Sequence, residues 1–214
     1  MFVKERAAET RSAILEAAIE LFISNGFEAT PMDAISTAAN VAKGTLYYHF
    51  DSKEGIVNAI VERDAAAVEA RIASIEADIG LGFVEKFEAS VSAMTDLIIA
   101  SYSKLHRMKY IDIRDKTLRA MVEHCAPHLA RILEQGNTAG LCRVEYSLEY
   151  VEILLASIQS LLTPRSGVEN IQRRIKALVR LSALAFGMDT EIVSQIYKPL
   201  ENYAASLGTR EIGD

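Results

Sequence analysis

Apolar residues recur at spacings of three and four along almost the whole chain, and no segment keeps a strict apolar–polar alternation. That periodicity admits one kind of regular structure, so the chain is expected to be all-α. With 50% of its 214 residues apolar, it can bury a substantial core. A first helix is expected over about 6–24, with Ile14, Ala17, Ala18, Leu21 and Phe22 on one face and Gly26 as its stop.

A short second helix should follow, with Thr30 as cap, Pro31 at the first helical position and Asp33 placed to answer the cap; it should end by Ala39. After a turn through Asn40 and Val41, a third short helix runs from Lys43 to Phe50. Asp51 or Ser52 then caps a long fourth helix, about 52–79, whose apolar positions are Val57, Val61, Val68, Ile72, Ile75 and Ile79. Gly80 and Gly82 end it and mark a break in the chain.

Beyond the break, Val84, Phe87, Val91, Met94, Ile98, Tyr102 and Leu105 form one apolar stripe. Further helices are expected at about 111–125, 127–138 (opened by Pro127), 147–163, 168–187 and 190–206, with Gly136, Gly140, Pro164 and Gly167 as punctuation. The stretch VEILLASIQSLL is apolar on nearly all sides, and 168–187 keeps Ile171, Ile175, Leu178, Ser182 and Ala185 on one face. These two helices are the expected dimer interface.

Composition narrows the function. Cys125 and Cys142 have neither disulfide nor zinc-finger spacing and read as buried small apolar residues in a reducing cytoplasm. The opening MFVKERAAETRSAILEAA mixes charge with apolar residues, unlike a signal peptide, and no run approaches the roughly 18 uninterrupted apolar residues of a membrane span. A cytoplasmic protein with no membrane partner is expected. No nucleophile, base or phosphate-loop pattern stands out, so neither enzymatic activity nor a cofactor is expected. His124 and His128 have a metal-binding spacing, but Pro127 lies between them and is expected to break that helix, so no metal site is assigned.

Charge by itself disfavours nucleic acid. The net charge is -6, and residues 1–53 carry five cations against seven acids. The motif at residues 30–50 argues the other way: two short helices joined by a tight turn suit the width of a DNA major groove. On the second of them, Leu46 and Phe50 lie four apart and should face inward with Val41 and Ile35. Lys43 and Thr45 then offer donors outward, Gly44 removes a side chain where backbone approaches DNA, and Tyr47, Tyr48 and His49 reach phosphates or thymine methyls. Lys53 falls in the first turn of the long helix, where main-chain N–H groups already favour a phosphate.

The run TPMDAISTAANVAKGTLYYHFDSKEGIV, with the preceding Gly26, Phe27 and Ala29, resembles the DNA-binding signature of the TetR/AcrR family of bacterial repressors. The resemblance implies DNA contact at Thr30, Lys43, Gly44, Thr45, Tyr47, Tyr48, His49 and Lys53. Three positions depart from the family pattern: Asn40 stands where the turn usually has Gly, Ser36 where Ala packs, and Ala42 where Ser often caps the recognition helix. Asn accepts a left-handed backbone, and the missing Ser cap costs the helix about 1 kcal/mol.

The implied organisation is a DNA-binding domain of three helices with the helix-turn-helix at 1–53, and a helical ligand-binding and dimerisation domain at 54–214. The implied function is that of a homodimeric repressor on double-stranded, palindromic operator DNA, released by a small, mainly apolar inducer, with the long fourth helix as lever. Lys4, Arg6 and Arg11 would add phosphate contacts, and binding should be strongly salt-sensitive. The resemblance also suggests a ligand cavity lined by Phe87, Met94, Tyr102 and Met121. The alternative class is an all-helical ligand-binding or adaptor protein that does not read DNA.

Overall fold

The structure is a computed structural model that describes the backbone of residues 2–108, 113–161 and 168–210, and side chains over 6–97, 100, 115–158 and 170–206. Among the described residues all regular structure is helical. The order is α1 (Phe2–Asn25), α2 (Met32–Ala38), α3 (Lys43–His49), α4 (Lys53–Ala77), α5 (Phe83–Met108), α6 (Ile113–Thr138), α7 (Ser147–Leu161), α8 (Val168–Phe186), α9 (Thr190–Ile196) and α10 (Lys198–Arg210). The chain divides into two compact units, Met1–Asp64 with Ile99–Thr117, and Ala65–Ile98 with Leu118–Asp214. Helix α4 therefore contributes residues to both.

In the first unit α1 buries Ile14, Leu15, Ala17, Ala18, Ile19 and Phe22, a broader face than its spacing suggested, while Leu21 is half-buried. The helix stops where Gly26 turns to φ 88°. Thr30 does not cap α2. Its hydroxyl donates to the carbonyls of Gly26 at 2.8 Å and Leu21 at 3.3 Å, and Pro31, extended at φ -79°, occupies the N-cap with no side-chain cap bond. A buried hydroxyl takes the nearest unsatisfied acceptors, and the end of α1 supplies them. At the next boundary Ser52 is the cap of α4, accepting from Gly55 N at 3.1 Å.

The second unit differs from the expected helices in four places. Helix α6 passes through Pro127 and Gly136 without a break. Pro in a helix interior costs about 3 kcal/mol, but Cys125, Ala126, Leu129, Ala130, Ile132 and Leu133 are all buried around it, and burial at about 1.5–3 kcal/mol per large aliphatic side chain outweighs that cost. The expected 190–206 helix is two: α9, capped by Asp189 accepting from Glu191 N at 2.7 Å, stops at Tyr197, and α10 starts at Lys198 with Pro199 in its first turn. Ile79, expected on the stripe of α4, lies past the helix end and is fully exposed.

The fourth difference concerns α8. Ile171, Ile175, Leu178 and Ser182 are buried in the core of their own unit and cannot be shared with a second chain. The apolar residues that α7 and α8 leave in solvent are others: Ile153 and Ala156 on α7, and Ala177, Leu181 and Leu184 on α8. Periodicity finds a helix's most apolar face, which its own chain claims first.

Candidate nucleic-acid interface

The turn between α2 and α3 is built by hydrogen bonding. Asn40 N donates to Thr37 O and Val41 N to Ser36 O, at 3.1 and 3.0 Å, and Asn40 sits at φ 53°. This pair of bonds around one left-handed residue closes a helix end, and Asn performs the task that Gly more often does. Ser36, 6% exposed, turns its hydroxyl back to Asp33 O at 2.8 Å, so the extra oxygen is satisfied within α2. Ala42 is the N-cap of α3 and offers no side-chain cap bond.

Helix α3 is held from beneath. Leu46 and Ile35 have no exposed surface, Phe50 is buried at the helix end, and Val41 is half-buried. Arg11 of α1 lies 5.2 Å from the Phe50 ring centroid. The other side of α3 faces solvent: Tyr47 is 43% and Tyr48 84% exposed, Lys43 and Gly44 are exposed, and Thr45 and His49 are half-exposed. Nothing lies within 4 Å of where a Cβ on Gly44 would sit, so this surface is open to an incoming backbone. The rings of Tyr48 and His49 meet edge-on, 5.2 Å between centroids.

Two residues assigned to DNA have other partners. Thr30 is fully buried and bonded to α1 carbonyls, so it shapes the entry to the motif and presents no surface to a duplex. Lys53, half-buried, donates from Nζ to Phe27 O at 2.8 Å and Glu28 O at 3.1 Å, and lies 4.7 Å from the Phe27 ring centroid. Its ammonium ties α4 to the α1–α2 loop. Lys43 is ion-paired with Asp33 of α2 at 2.9 Å, both side chains about 60% exposed. The hydrogen bond and charge of Asp33 hold the Lys43 pKa above its ordinary value.

Of the residues assigned to a ligand cavity, Phe87, Met94 and Met121 are buried in one core cluster of the second unit, and the Phe87 ring packs 6.0 Å from Phe83 and 6.1 Å from Phe186. The side chain of Tyr102 lies outside the described residues. Because α6 is continuous, His124 and His128 do share a face. His124 Nδ1 is 2.6 Å from Glu69 and His128 Nδ1 2.6 Å from Glu76, which also takes two bonds from Arg131. Sequence reasoning missed this histidine–carboxylate seam because Pro127 argued against it. Among the described residues no group of three or more His, Cys, Asp or Glu is arranged to hold a metal ion. No described helix is long and apolar enough to cross a membrane.

Fold and site together define a helix-turn-helix protein with an all-helical companion unit. Residues 14–60 match the family of bacterial regulatory proteins described as the tetR family. The chain is 32% identical over 123 residues to the HTH-type transcriptional regulator UidR of Escherichia coli (strain K12), covering 57% of this chain and 61% of that one. It is 33% identical over 98 residues to the HTH-type transcriptional regulator TtgW of Pseudomonas putida, 46% of this chain and 69% of that one. The chain thus spans about three fifths of the length of UidR. Among solved structures, RolR in complex with resorcinol superposes with a TM-score of 0.62 at 17% identity, covering 92% of this chain and 97% of that one. The chain belongs to the tetR family of bacterial regulatory proteins.

Proposed function

We propose that this protein is a homodimeric DNA-binding transcriptional regulator, a repressor that leaves a palindromic operator when a small, mainly apolar ligand binds its second unit. One observation carries the reading: α3 buries Leu46 and Phe50 below while Tyr47, Tyr48, Lys43 and Gly44 stand in solvent above. Two exposed tyrosines on a seven-residue helix gain nothing for stability and suit a partner that accepts both hydrogen bonds and apolar contact. Lys43, Gly44, Thr45, Tyr47, Tyr48 and His49 form the DNA-reading set.

The proposed dimer uses the exposed apolar residues of α7 and α8. Beside them α7 carries exposed Glu149 and Glu152, and α8 carries exposed Arg173, Lys176 and Arg180, so α7 of one copy complements α8 of the other. The second unit is proposed as the sensor, with Phe87, Met94 and Met121 among the residues facing ligand. RolR has been captured with resorcinol, a small aromatic, which accords with an apolar inducer. A hundredfold change in operator occupancy requires only about 2.7 kcal/mol of ligand preference for the released state.

The test replaces Tyr47 and Tyr48 together by Ala. Both are exposed, so helicity and dimerisation should persist while affinity for a self-selected operator falls by about 2–6 kcal/mol, a loss of thirtyfold or more. Undiminished operator binding by the folded variant would refute the assignment.

A further inference from the structure

The first unit is short of available cations. Residues 1–53 carry a net charge of -2, and the described cations there are largely engaged: Lys53 on two main-chain carbonyls, Arg11 against Phe50 and Lys43 on Asp33. Lys43 opens the proposed recognition helix, and Asp33 comes from the preceding helix α2, ten residues back. Asp33 makes no cap bond of its own, and its carboxylate is well exposed. An exposed ion pair stabilises a fold by about 0–1 kcal/mol, so the pair is poorly explained as a stabilising device.

We infer that Asp33 is a specificity-determining residue, an internal counter-charge that withholds the Lys43 ammonium from DNA of arbitrary sequence and yields it in the close fit of the operator complex. The inference rests on the DNA-reading function proposed above. Affinity for arbitrary DNA comes almost wholly from cations replacing counterions on phosphates, and a lysine already neutralised within the protein contributes little to it. In an operator complex the base contacts of α3 bring the helix into the groove, and a phosphate can then compete with Asp33 for the same ammonium. Asp33 thus lowers affinity for all DNA, and most for the loosely held, non-specific kind.

The test compares wild type with Asp33→Asn, an exposed and nearly isosteric change, on two duplexes. One is an operator recovered by selection from a random-sequence pool, the other a scrambled duplex of equal length and composition. Binding is titrated over a range of salt, with thermal melting as the folding control. Freeing Lys43 should steepen the salt dependence on scrambled DNA by about 0.9 per protomer, about 1.8 per dimer. A fourfold drop in salt should then strengthen the variant about tenfold more than wild type on that duplex, and the operator-to-scrambled ratio should fall. In a Lys43→Gln background the same change should leave the slope unaltered. Equal slopes for wild type and Asp33→Asn, or weaker binding by a folded variant, would overturn the inference while leaving DNA reading intact. No binding of either duplex by wild type would overturn the DNA-reading function and this inference with it.

Discussion

Lys53 separates two accounts of the same residue, and replacing it by Met decides between them. If it is a phosphate contact, the change costs DNA affinity alone. If its bonds to Phe27 O and Glu28 O matter, the change loosens the helix-turn-helix itself. The more sheltered bond, at 2.8 Å from a charged donor, is worth about 1.5 kcal/mol, near the low end for such bonds because water can partly replace it. Glu28 O lies in solvent and adds little, while the ammonium over the Phe27 ring adds about 0.5 kcal/mol, some of which the Met sulfur recovers. The expected loss is about 2 kcal/mol, and amide exchange in α3 and the α1–α2 loop should accelerate about thirtyfold. Hydrogen exchange by mass spectrometry on the whole chain reads this segment by segment. Unchanged protection together with a salt slope reduced by about 0.9 per protomer would refute the reasoning and restore Lys53 as a phosphate ligand.

Gly136→Ala tests the packing of α6. Ala gains about 0.5–1 kcal/mol of helix propensity, but its Cβ would lie 2.7 Å from the Phe83 ring and 2.8 Å from Cys142 Sγ, both buried, at a cost of about 1–3 kcal/mol. A Tm lowered by a few degrees is expected, and a raised Tm would show that the core yields. Along the α4–α6 seam, the hydrogen bond with His124 holds the Glu69 carboxyl below its ordinary value of 4.5; burial pushes Glu76 up, but Arg131 and His128 together bring it down. Carboxylates lowered in the folded state stabilise it above their unfolded pKa, and the contribution is lost as pH falls through the folded values, below about 4.5. Urea titrations of wild type and His124→Gln should diverge above that range and converge below it; parallel curves would dismiss the seam. Leu184→Glu should weaken the proposed dimer at least hundredfold, from about 1.5 kcal/mol or more lost on each side of a two-fold interface, as read by sedimentation. A dimer of undiminished affinity would move the interface elsewhere.

How far the residues alone lead can be judged position by position. The spacing of Ile14, Leu46, Phe50, Val57 and Phe87 announced helices and their inward faces, because periodicity of three and four is a local property and burial follows it. Asn40 announced a left-handed turn for the same local reason, and φ 53° is what its side chain tolerates. Pro199 carried a usable signal for the break between α9 and α10 that the apolar pattern concealed.

What folding decided was where each polar group found its partner and which apolar face remained in solvent. Thr30 chose α1 carbonyls over the α2 cap, Lys53 chose main-chain oxygens, and Lys43 met Asp33 across the turn. Pro127 stayed inside α6 because burial on both sides outweighed one lost hydrogen bond, and that brought His124 and His128 to the carboxylates of α4. Helical rhythm resides in a few neighbouring residues, whereas the fate of a charge or hydroxyl depends on groups many residues away that only the folded chain brings within reach.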